Sequence, residues 1–124
     1  MTKFELISVA LRFNERINTR DLSGLGELMT EDHVFIDIPG EVHKGRERMI
    51  VGWFDFFRNY PDYRNNFTRV EARDDLVIMV GFSECSYARL DGPSIWTAKI
   101  RDGKVTEWRV YEDNAQTRKT LGIE

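Results

Sequence analysis

Between Thr2 and Asn18, polar and apolar positions recur at three- and four-residue spacing. Glu5, Ser8, Arg12, Glu15 and Arg16 form one stripe; Leu6, Ala10, Phe13 and Ile17 form the other. That period predicts an amphipathic helix. Asp21 is placed to cap a short second helix carrying Leu22, Leu25, Leu28 and Met29, although Gly24 and Gly26 lower its propensity. The period then shortens to two. His33 to Ile38 alternates loosely and is rich in Val, Ile and Phe, which predicts a strand ended by Pro39-Gly40. Glu41-Val42-His43 reads as a short return strand. Gly45 opens a third helix, with Ile50, Trp53, Phe54 and Phe57 on one face and Pro61 beyond its end.

From Phe67 onward the pattern is that of antiparallel sheet. Phe67–Arg73 is followed by Asp74-Asp75 and a long apolar strand, Leu76–Leu90. Asp91-Gly92-Pro93 marks a turn, and Ser94–Arg101 and Lys104–Asp113 flank Asp102-Gly103, a strong two-residue hairpin signal. Ala115–Leu121 reads as a short closing helix ended by Gly122. No linker, repeat or low-complexity tract interrupts residues 1–124, so a single domain is expected. Helices first and a meander afterwards define an α+β class, with helices packed on one sheet face. A long twisted sheet bent over helices leaves a cavity at its mouth unless bulky side chains fill it.

Composition narrows the function classes. The net charge is −3, and Lys and Arg are scattered among acids. Nucleic-acid binding needs a concentrated basic face, which this chain lacks. Cys85 is the only cysteine, which excludes an intramolecular disulfide and fits a reducing compartment. Met1-Thr-Lys-Phe-Glu has no signal-peptide pattern, and no run approaches the about 20 apolar residues of a membrane span. The expectation is a cytoplasmic protein with no membrane partner. His33 and His43 are too few for a metal site, and His43 reads as a turn or mouth residue. Cys85 reads as packing, and no glycine-rich nucleotide motif is present. Neither metal nor cofactor is expected.

The aromatic residues are the more informative group: eight Phe, four Tyr and three Trp. Phe13, Phe35, Trp53, Phe57, Trp96 and Tyr111 suit either a core or the wall of a pocket for a flat, ring-bearing ligand. Trp53 and Trp96 favour the wall, because tryptophan is seldom buried completely; Phe57 favours the core. Strand alternation puts Phe35 and Asp37 on one face and Val34, Ile36 and Ile38 on the other. A carboxylate beside Phe35 in an apolar mouth would have a raised pKa suited to proton transfer. The competing reading is an Asp that merely bonds the Pro39-Gly40 turn. Glu107, Arg109, Tyr111 and Asp113 also alternate, opposite Trp108 and Val110. They form either a wet sheet face, ordered by an Arg109–Asp113 or Arg109–Glu107 ion pair, or the polar wall of a cavity.

The stretches RFNERINTRDLSGLGELMTEDHVFIDIPG, HKGRERMIVGWFDFF, NYPDY and IRDGKVTEWRVYEDNAQTRKTLGI, in that order around the apolar strand, span nearly the whole chain. Together they resemble the SnoaL-like polyketide cyclase group of the nuclear transport factor 2-like superfamily. The resemblance implies a cone-shaped curved antiparallel sheet wrapped around three N-terminal helices, and a homodimer. Val34, Ile36 and Ile38 would also leave an apolar strand face in need of cover. Asp37 stands where related ketosteroid isomerases place a general-base aspartate. Phe13 and Trp96 stand where those enzymes carry oxyanion donors, and Trp53 replaces a supporting tyrosine, so ketosteroid isomerase activity itself is not expected. Asp113 matches an acid/base aspartate of SnoaL-like cyclases; it would take a proton beside a carbonyl while Arg109 or Tyr111 stabilises the enolate.

Function on this superfold is set by the site. Three readings remain open. One is a cofactor-free cyclase, isomerase or dehydratase acting through Asp37 and Asp113 on a small hydrophobic or ring-bearing carbonyl compound. Another is a non-catalytic binder of such a ligand. The last is an interaction module that pairs its sheet surface with another chain.

Overall fold

The structure is a computed structural model describing residues 1–124. Thr2 and Glu5 close a capping box at the start of α1 (Lys3–Asn18), each side chain accepting the other's backbone N–H. Leu6, Val9, Ala10, Phe13 and Ile17 form its buried side. Asp21 caps α2 (Leu22–Glu27) by accepting from the Gly24 N–H at 2.9 Å. Gly24, unfavourable for a helix, is needed here. A Cβ would stand 2.3 Å from Asp21 Oδ2 and 2.4 Å from Arg16 Cδ.

β1 (Met29–Ile36) starts at Met29 rather than His33. Its register breaks between Met29 and Val34, which spoils the alternation in that stretch. β2 (Val42–Lys44) returns alongside it, and Gly45 precedes α3 (Arg46–Asn59). The buried line of α3 is Met49 and Trp53, continued by half-buried Phe56 and Phe57. Phe54 is 48% exposed, beneath the Arg58 guanidinium.

β3 (Arg64–Arg73) and β4 (Leu76–Glu84) follow. The apolar run after Leu76 leaves the sheet at Glu84 rather than Leu90. Asp91 takes the Cys85 N–H at 3.0 Å and Asp62 takes the Ser86 N–H at 2.9 Å, which holds the chain in a loop ending in a 3-10 turn at Ala88–Leu90. β5 (Gly92–Arg101) and β6 (Lys104–Glu112) form the expected hairpin. Asp102 and Gly103 both have positive φ, 53° and 75°, as a two-residue turn of the primed kind requires. α4 (Ala115–Leu121) ends at left-handed Gly122.

The strands form one mixed sheet in the order β2-β1-β6-β5-β4-β3. β3 to β6 are antiparallel neighbours, and β1 joins β6 in parallel. Register breaks in β1, β3 and β5 bend the strands. At the β3 break, Gly81 lets the backbones approach; a Cβ there would lie 1.9 Å from the Asn66 carbonyl oxygen. α1 packs across β3 to β6 and α3 packs on β1, and the main core fills the concave side between them. On the convex side a second cluster of Ile78, Val80, Ile95 and Ile123 is flanked by Leu76, Tyr111 and Leu121. Arg73 fastens this C-terminal segment by donating to the Leu121 and Gly122 carbonyls.

Ile36 is buried within the single chain and Val34 is half-buried, while Ile38 turns into the cavity wall. The apolar face expected to need cover from a partner or another element is thus covered by the chain itself at Ile36 and in part at Val34, while Ile38 stays 51% exposed. No helix is long and apolar enough to cross a membrane.

Candidate functional site

A cavity of about 650 Å³ opens between the concave sheet face, α3 and the β4–β5 loop. Phe35, Trp53, Phe56, Trp96, Trp108 and Val110 make most of its apolar wall. Parallel pairing of β1 with β6 sets Phe35 beside Trp108. Trp53 meets Phe35 edge-on at 5.9 Å, and Trp96 is braced from behind by Phe67 at 5.0 Å. Such a wall offers large, rigid area to a planar apolar ligand.

Asp37 lies in this wall, and so does His43. The β1–β2 hairpin explains the meeting: Phe35 pairs with His43 across the strands, so His43 is a diagonal neighbour of Asp37 on the same face. His43 Nε2 is 3.0 Å from Asp37 Oδ2. An ionised carboxylate can only accept, so Nε2 carries the hydrogen, and in the neutral imidazole the Nδ1 lone pair is left for another partner. Asp37 Oδ1 accepts the Glu41 N–H at 2.8 Å. The turn-bonding and cavity-lining readings of Asp37 hold at once.

The electrostatics differ from the expectation of a raised pKa. Burial pushes the Asp37 carboxyl up, but the His43 hydrogen bond and the Glu41 and Gly40 N–H groups outweigh it, and its pKa falls below the usual 3.8. Asp37 therefore stands ionised at neutral pH. Ligand atoms of Asp37, Glu41 and His43 lie within 4.8 Å of one another, a donor set able to hold a divalent cation, although Glu41 is exposed.

The second expected constellation is not in the cavity. Trp108, Val110 and Glu112 face it; Glu107, Arg109 and Tyr111 alternate onto the convex side. Arg109 lies over the Tyr111 ring at 4.6 Å, and the Tyr111 hydroxyl accepts from Thr97 at 3.2 Å. Glu107 pairs with Lys99 at 3.9 Å. Asp113, past the end of β6, is held by Arg118 of α4, Nε to Oδ1 at 2.7 Å and Nη2 to Oδ2 at 3.0 Å. Arg118 keeps its carboxyl below the ordinary range. Neither the enolate-stabilising arrangement nor the two Arg109 ion pairs is formed, and Asp37 and Asp113 do not share a cavity.

Of the six aromatic candidates, Phe35, Trp53 and Trp96 line the cavity, whereas Phe57 and Tyr111 stay outside the lining. Phe13 does not line it either. It is fully buried against Trp108, at 4.7 Å between rings, and His33, at 5.7 Å. Residues not singled out from sequence also line the wall, among them Trp108, Tyr63, Ser83, Asp91 and Glu112. Ser83 Oγ is 3.0 Å from Asn65 Oδ1 and 3.3 Å from the Tyr63 hydroxyl, and Asn65 Nδ2 donates to Asn14 Oδ1 of α1 at 3.0 Å. Cys85 is outside the lining, its thiol pushed up by burial and by Asp62.

Comparison with known proteins places this architecture. No curated protein matches the chain in sequence. Among solved structures, an LEH-like epoxide hydrolase of M. tuberculosis superposes with a TM-score of 0.78 at 17% identity, covering 90% of this chain and 84% of its own. A candidate polyketide cyclase of Sinorhizobium meliloti gives 0.77 at 14% identity, over 89% and 99% of the two chains. An NTF2-like protein of unknown function from Cytophaga hutchinsonii gives 0.69 at 15%, over 92% and 91%. These likenesses define the fold as the nuclear transport factor 2-like α+β cone. The SnoaL-like domain model matches residues 10–108, and the chain belongs to that family.

Proposed function

We propose that this protein binds a small, ring-bearing organic molecule in the aromatic cavity and moves a proton on it with the Asp37–His43 pair. The observation that carries the reading is the 3.0 Å contact of His43 Nε2 with Asp37 Oδ2 in the wall of a cavity that Phe35, Trp53, Trp96 and Trp108 also line. A carboxylate that orients an imidazole leaves the second ring nitrogen as the proton acceptor, and imidazole is the side chain suited to that role near neutral pH. Apolar walls exclude water from the reacting carbon. A carbonyl compound with an acidic neighbouring C–H is the substrate class that such a pair serves.

The test is proton exchange, which needs no knowledge of the product. Aryl and cyclic ketones are incubated with the protein in D₂O, and deuterium entry beside the carbonyl is followed by mass spectrometry. Exchange that is fast with wild type, and slowed about a hundredfold or more in His43→Gln and Asp37→Asn, supports the reading. Binding without exchange refutes proton transfer and leaves the binder. One observation favours that second reading: Asp113, the acid/base residue that the resemblance implied, is held by Arg118 outside the cavity.

A further inference from the structure

In the cavity wall, away from the β1–β2 hairpin that carries Asp37, two buried hydroxyls share the lining with Phe56 and Trp96. Tyr63 immediately precedes β3 and Ser83 lies near the end of β4; both line the cavity, though each is more than nine-tenths buried. Asn65 and Ser83 are cross-strand partners, so Asn65 reaches Ser83 from the side and Asn14 of α1 from above. Asn18 locks the Asn65 backbone on both groups, accepting its N–H and donating to its carbonyl at 2.9 Å each. Phe56 stands edge-on to the Tyr63 ring at 4.9 Å. The heavy atoms of this group are thus fixed on every side.

The hydrogens are not fixed in the same way. Ser83 has a single hydroxyl hydrogen, and the shorter of its two contacts is to Asn65 Oδ1. With that hydrogen committed, the 3.3 Å contact to Tyr63 leaves Tyr63 as the donor, at the long end of the useful range. The phenolic hydrogen swings about its C–O bond without moving any heavy atom. A ligand oxygen in the cavity needs only that rotation to gain a donor.

We infer that the Tyr63 hydroxyl is the donor that fixes a carbonyl oxygen of the cavity's ligand, with Ser83 as its resting partner. The inference rests on the reading of the cavity as a ring-ligand site and adds its specificity: a hydrogen-bond acceptor is recognised at the Tyr63 end. A buried phenol stays protonated at working pH, and burial raises the Tyr63 pKa further.

The test uses two ligands of nearly one shape, 2-acetylnaphthalene and 2-isopropenylnaphthalene, which differ in C=O against C=CH₂. Binding is followed by quenching of the wall tryptophans. Tyr63→Phe is expected to lower the ketone-to-alkene affinity ratio about three- to tenfold, the worth of one neutral hydrogen bond. Ser83→Ala is expected to hold or raise that ratio, because it removes only the resting partner of the phenol. The carbonyl ¹³C resonance of labelled ketone is expected to move downfield on binding to wild type and to move less with Tyr63→Phe.

If both compounds bind wild type but the carbonyl resonance stays put and Tyr63→Phe leaves the ratio unchanged, the inference falls while the cavity reading stands. A ratio lowered by Ser83→Ala would make Ser83 the donor and overturn the assignment. If neither compound binds, the cavity reading falls and takes the inference with it. Should Tyr63→Phe fail to fold, the wild-type resonance and Ser83→Ala still decide.

Discussion

Arg118 holds Asp113 with two nitrogens, Nε on Oδ1 at 2.7 Å and Nη2 on Oδ2 at 3.0 Å, and so ties α4 to the end of β6. The pair lies on the side of the sheet away from the aromatic cavity. Asp113→Asn is expected to cost about 1 kcal/mol, a fall in Tm of roughly 3–5 °C at this chain length, with ring-ligand affinity unchanged. The sign with pH follows from the lowered Asp113 pKa. Its contribution is present above the unfolded value near 4 and is lost as pH falls through the folded value. Thermal melts of both proteins from pH 7 to pH 2 would show the gap close at the acid end.

His33 is fully buried, with Nδ1 donating to the Val105 carbonyl at 2.7 Å and no partner for Nε2. Burial pulls its pKa down to about 4, against smaller opposite pulls from Val105 and Asp32. The unfolded chain takes up the proton near pH 6.5 and the folded chain does not. Stability therefore falls as pH drops from about 6.5 towards 4, by roughly 3 kcal/mol over the whole span. Denaturant midpoints at pH 7 and pH 4.5 are expected to differ in wild type and to converge in a His33→Gln protein that retains the fold. A wild-type midpoint flat across that window would contradict the buried neutral imidazole.

Asp37 and His43 are coupled through one hydrogen bond. A carboxylate NMR titration is expected to place Asp37 below the ordinary Asp range in wild type. His43→Gln replaces the imidazole partner, so burial meets less opposition and the Asp37 midpoint moves upward. An Asp37 midpoint indifferent to His43 would mean that the two groups do not share a hydrogen bond in solution.

Phe13 separates core from wall. It is fully buried against Trp108, so Phe13→Ala is expected to cost about 3–5 kcal/mol through the void it leaves. Phe35→Ala removes a half-buried cavity residue and is expected to act mainly on ligand affinity. Chemical denaturation and naphthalene-ligand binding on the two variants check both halves. Equal effects of the two on affinity would place Phe13 in the wall after all.

Local pattern carried much of this protein. The capping residues Thr2, Asp21 and Gly45, the Asp102-Gly103 hairpin and the left-handed Gly122 are decided by short-range sterics and hydrogen bonding, so helix and strand order could be read along the chain. The alternation of Arg109 and Tyr111 against Trp108 and Val110 was equally legible. Which of the two faces is concave was not. That depends on β1 joining β6 in parallel, a contact between distant parts of the chain that sets Trp108 beside Phe35. The hairpin about Pro39 offered a signal for His43 as a neighbour of Asp37, and the signal for Tyr63 was only its place in NYPDY. Sequence by itself determined the elements, their order and the family, because periodicity and turn chemistry act over a few residues. Only the tertiary structure decided that His43 and Asp37 meet at the cavity while Asp113 is claimed by Arg118, because strand pairing and sheet curvature select each side chain's partner.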